Sequence, residues 1–204
     1  MRTTLYVLDR DPFVERYHAL PCRMPAARWR ELLAAGAARS ELGELIAELP
    51  AQAALEQDGL VSVSGSGCRL VLEVCKVECA LAAYQIAATD FFFADLEANP
   101  PDPSGLGEPA RQAWSTFARV VNTSGEGRSE LPEWLRHAAR AGCAFAGLLT
   151  PAEVTSVSER CAELVPWLRE NVPDGSQRDA EALLALVSQA AVGQHWVLGW
   201  EPGT

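Results

Sequence analysis

Three cysteines, Cys68, Cys75 and Cys79, stand at offsets of seven and four, and on a helix that spacing places all three on one face. Thiolates that converge can hold a soft metal such as Cu(I) or Zn(II). A closed zinc site takes a fourth ligand, and none of the three histidines, His18, His137 and His195, is near in sequence. Reduced cysteine also behaves as a small buried hydrophobe. Core packing is therefore the preferred reading of this stripe, and neither a metal nor a cofactor is expected. Glu133 and His137 offer a second chemistry: four apart on a helix, a carboxylate can orient an imidazole for proton transfer. The same spacing also makes an ordinary surface pair. Cys143, six residues beyond His137, would be the nucleophile such an imidazole serves, but no third group is identifiable.

Other catalytic signatures are absent. The chain has no Gly-rich dinucleotide fingerprint, no His-Glu-x-x-His, no Gly-x-Ser-x-Gly and no Cys-x-x-Cys, which lowers the weight of those enzyme classes. Its one lysine, Lys76, lies in a helical pattern and not in a phosphate loop. Phe91, Phe92 and Phe93 cannot all face one side of a helix, so at least one ring reaches a second surface; burial within the fold is the simpler outcome. Ser124-Gly-Glu-Gly127 offers backbone amides to an anion, yet Glu126 opposes that use.

Seventeen basic residues against 27 acidic ones give a net charge of -10, a field that repels phosphate backbones and anionic lipid. Neither nucleic acid nor a membrane is an expected partner. The charge is concentrated in residues 41–110, where twelve acids face only Arg69 and Lys76. Within that stretch Glu41, Glu44 and Glu48 follow offsets of three and four and form a carboxylate ridge, with Glu56 and Asp58 close behind after Pro50. Like charges so placed destabilise a helix by a few tenths of a kcal/mol per pair, a cost that a cationic partner would offset. No apolar run is long enough for a membrane span, and Asp9, Arg10 and Asp11 interrupt the N-terminal one, so a cytoplasmic location with reduced thiols is expected.

These residues need a scaffold. Thr3 to Leu8 and His195 to Trp200 read as strands, too short to stand alone and expected to pair in one small antiparallel sheet. Between them the pattern is mainly helical: Ala26 to Arg39, Ser40 toward Leu49, Ala110 to Val121, a helix beginning near Pro132, and Gln177 to Val192. Asp90 to Glu97 reads as a short capped helix. Residues 60–74 fit either a hairpin or the start of a helix. The helix is preferred, from Cys68 to about Ala88, because alanines continue the pattern beyond a normal strand, and it is expected to be the central apolar helix. Thr150-Pro-Ala-Glu153 is a capping box opening a helix whose apolar positions run to Leu168, with Pro166 bending or ending it. Loops are expected at about 99–109 and 122–131 within one domain spanning 1–204.

The expected fold class is thus α+β, mainly helical. The order of strand, apolar helix, Thr-Pro-Ala-Glu helix and Trp-Val-Leu-Gly-Trp strand is similar to that of small bacterial proteins, some linked to toxin immunity. The similarity supplies no site residues; the charge pattern itself leads to the expectation of a module whose acidic surface, at Glu41, Glu44, Glu48, Glu56 and Asp58, binds another protein with a basic surface, as an immunity protein or antitoxin would bind a basic toxin, where complementary charge speeds encounter. The alternatives are a small-molecule-binding protein or enzyme, and a metal-binding protein using Cys68, Cys75 and Cys79.

Overall fold

Alternating Thr, Tyr, Val and Leu make Thr4–Leu8 a strand (β1), and both of its neighbours come from far away in the chain. The computed structural model describes residues 4–50, 53–85, 102–121, 131–171 and 174–202. After β1 come a short helix, Arg10–Phe13 (α1), continued by a π-helical turn over Val14–His18, then Arg23–Pro25 (β2), Ala26–Ala37 (α2), Ser40–Ala47 (α3), Ala54–Gln57 (β3), Leu60–Val63 (β4), Gly65–Cys79 (α4) and Ala80–Gln85 (β5). The second half holds Glu108–Val121 (α5), Glu133–Gly142 (α6), Cys143–Leu149 (β6), Pro151–Glu159 (α7), Cys161–Asn171 (α8), Asp174–Val192 (α9) and Trp196–Pro202 (β7).

The main sheet is antiparallel with strand order β5-β1-β7-β6. The first and last strands are its central pair, Thr4 opposite Trp200 and Leu8 opposite Trp196, as their patterning predicts. Side chains alternate across a pleated sheet, so Leu8, Leu148, Trp196, Leu198 and Trp200 join one core while Leu5, Val7, Leu149 and Val197 join another. A sheet apolar on both faces must be covered on both. Trp29, Leu70, Val74, Trp134 and Leu135, from α2, α4 and α6, cover the first face. Trp114, Phe117, Val154, Val157, Leu164, Leu183 and Val187, from α5, α7, α8 and α9, cover the second. The α+β class holds, and α4 is the apolar helix beside the sheet, its Leu70, Val71, Leu72, Val74 and Cys75 all buried.

Three expectations are corrected. Residues 60–63 do form a hairpin arm, but their partner lies upstream: β4 pairs with β3 across Asp58-Gly59, with φ of 53° and 75°. Two successive positive φ values suit a tight hairpin turn and favour glycine at the second. The apolar helix starts at Gly65 and stops at Cys79, short of Ala88. Ala80–Gln85 becomes an edge strand because β1 would otherwise present an unpaired row of backbone groups, and pairing outweighs alanine's helix propensity. Finally, the capping box is present in full, Thr150 and Glu153 each satisfying the other's backbone amide, but its helix ends at Glu159. The break falls at Arg160, six residues before Pro166, which lies inside α8. Residues 90–97, 99–101 and 122–130 lie outside the described residues, and the rest of the first expected loop holds a turn of 3-10 helix at Pro103–Gly105 before α5 begins at Glu108.

Candidate functional site

On α4, Arg69, Glu73 and Lys76 follow offsets of four and three, so the helix that buries its leucines and valines against the core turns this polar stripe toward the sheet. There it meets Thr4 and Tyr6 of β1, Gln85 of β5 and Trp200 of β7, and the seven residues line a cavity of about 370 Å³. Adjacent strands bring the walls together: Thr4 is opposite both Gln85 and Trp200 in register.

The lysine is held in two ways. Its ammonium donates to Glu73 Oε1 at 2.7 Å and sits 5.1 Å from the centre of the Tyr6 ring, where the electron-rich face attracts a cation. Only 14 % of its side chain is exposed, unusually little for lysine. Arg69 is half-buried and pairs with no carboxylate among the described residues. Glu73 balances Lys76, and the guanidinium is left as surplus positive charge in a chain whose net charge is -10. Planar walls from Tyr6 and Trp200, two cations and the amide of Gln85 can bind and orient a flat anion. The lining contains no thiol and no imidazole.

The acidic ridge fares differently. Glu44 and Glu48 are exposed, with no ion-pair partner among the described residues. Glu56 is drawn to Arg30 of α2 at 3.3 Å, and Asp58 occupies the β3–β4 turn. Glu41 lies in α3, its side chain outside the described set. The cysteine stripe does not converge: Cys68 and Cys75 are two helical turns apart, about 10 Å along the axis, which is too far for one ion. Cys68 instead lies 3.9 Å, sulfur to sulfur, from Cys22. All three stripe cysteines are buried free thiols, and burial pushes the Cys75 thiol well above its ordinary range. Glu133 and His137 come together on α6, and the thiol beside them is that of Cys22. Cys143 opens β6. Phe91 to Phe93 and Ser124 to Gly127 lie outside the described residues.

Thr4, Tyr6, Gln85 and Trp200 give no sign in the sequence of belonging to one site. The available signal was electrostatic, since the only two cations of residues 41–110 stand seven apart, on one helical face. Comparison with protein-family models, with curated proteins and with solved structures finds no match to this chain.

Proposed function

We propose that this protein binds a small planar anion, such as an aromatic carboxylate, in the cavity between α4 and the β5–β1–β7 sheet. The observation that carries this reading is that Arg69 and Lys76, the only cations among twelve acids in residues 41–110, line one cavity with two aromatic rings. Its volume is at the small end of ligand sites. The acidic exterior offers an anion little non-specific attraction, so selectivity rests on this concavity. The test is an NMR titration of the full chain with a panel of aromatic carboxylates and with inorganic phosphate. Saturable shifts at the Trp200 indole and the Gln85 side-chain amide support the reading. Shifts confined to exposed arginines, or none with any member of the panel, contradict it.

A second reading is the docking of a basic protein on α3, favoured by Glu44 and Glu48, which are exposed and have no ion-pair partner among the described residues. With such a partner in hand, E44Q/E48Q would slow association several-fold and flatten its salt dependence while leaving the anion cavity intact. Unchanged association rates would remove this surface.

A further inference from the structure

The second site lies on the far flank of α4, where its first turn crosses α6. At Gly65 an added Cβ would lie 2.4 Å from Ala141 Cβ and 3.1 Å from the His137 carbonyl oxygen, so only glycine permits this close approach. The crossing sets Cys68, one turn into α4, close enough to α6 for the Glu133 charge to act on it. The segment leading into β2 adds Cys22, because Val63 N–H donates to the Cys22 carbonyl at 2.8 Å and ties that segment to β4.

One ligand atom each from Cys22, Glu133 and His137 lies within 4.8 Å of the others, and the Cys22 and Cys68 sulfurs are 3.9 Å apart. Around a tetrahedral zinc with bonds of about 2.0–2.3 Å, ligand atoms are separated by roughly 3.3–3.8 Å. The sulfur pair already matches that spacing, Cys22, Glu133 and His137 need to close by up to about 1–1.5 Å, and Cys68, which lies outside that 4.8 Å group, has to turn its thiol toward it to become the fourth ligand. We propose that Cys22, Cys68, Glu133 and His137 bind one zinc ion, which joins the β2 segment, α4 and α6. Two thiolates, an imidazole and a carboxylate are a donor set that suits Zn(II), whereas Cu(I) would favour sulfur alone. The donors carry one negative charge more than zinc neutralises, and the Arg136 guanidinium is close enough to act on Cys22.

The experiment uses the full chain, stripped with a chelator under reducing conditions and titrated with Co(II) and then Zn(II). One equivalent of cobalt should give thiolate charge-transfer bands and tetrahedral visible bands, both displaced by zinc. C22S and H137Q should each weaken zinc binding by at least about 100-fold, beyond the 10- to 100-fold typical of losing an outer-shell partner. C75A, at a buried thiol outside the set, should bind as the parent does. Should C22S or H137Q fail to fold, the parent's cobalt spectrum decides by its thiolate bands. Absence of those bands, retention of binding in both variants, or a Cys22–Cys68 disulfide forming on mild oxidation with no metal affinity in the reduced chain would overturn the proposal.

Discussion

Cys75 and Tyr17 show what burial does to single residues in this fold. Cys75 is fully enclosed, and its thiol is held well above the ordinary range by burial first and by neighbouring Cys79 second. Tyr17 is enclosed as well; burial raises its phenol, and the O–H donated to Glu78 at 2.6 Å holds the proton further. Both groups are neutral when protonated, so the folded chain keeps protons that the unfolded chain releases. The resulting stability is present below each group's ordinary pKa, about 8.5 for the thiol and about 10 for the phenol, and is lost as pH rises above that value, by up to about 1.4 kcal/mol per pH unit. Urea unfolding at pH 8 and pH 10 checks this: stability should fall, and in C75A the fall should be about 2 kcal/mol shallower. Equal falls in the two proteins would show that Cys75 loses its proton as readily folded as unfolded.

At the scale of elements, what could be read in advance was whatever a local pattern decides. Thr150-Pro-Ala-Glu153 specifies a helix start by itself, because two side chains satisfy two orphan amides within four residues. T150A should cost about 1 kcal/mol of unfolding free energy by chemical denaturation; a cost below about 0.3 kcal/mol would mean that solvent serves those amides equally well. Ala80–Gln85 was misread because its composition favours a helix and only the free edge of β1, some 75 residues earlier in the chain, makes it a strand. The break at Arg160 was invisible for a related reason. Val154, Val157, Leu164 and Leu168 all reach the same core, so the apolar period gives no sign that two helices supply it. Sites assembled from several elements are harder still. The Glu133–His137 pair was legible from its spacing, but its meeting with Cys22 depends on how the segment leading into β2 is held beside α6.

For the whole molecule, the central fact is that the terminal strands form the middle of a sheet shared by two cores. Leu8 belongs to one core and Leu183 to the other, both fully buried, and the strands between them give side chains to both cores, as Leu5 and Leu8 of β1 and Val197 and Leu198 of β7 do. L8A and L183A should each cost about 2–5 kcal/mol, and both should move the same transition whether followed by far-ultraviolet circular dichroism or by tryptophan fluorescence. Two separable transitions, each sensitive to only one variant, would instead mean that the layers fold independently. The shared sheet also builds the anion cavity, since β5, β1 and β7 place Gln85, Thr4, Tyr6 and Trp200 beneath the cations of α4. That cavity is tested most directly by the ratio of calorimetric dissociation constants of the R69Q variant and the parent chain for the tightest aromatic carboxylate of the panel. Loss of a charge-assisted bond worth about 1.5–3 kcal/mol weakens binding roughly 10- to 100-fold, and that is the expected ratio at constant stoichiometry. A ratio near one would place the anion elsewhere and contradict the account.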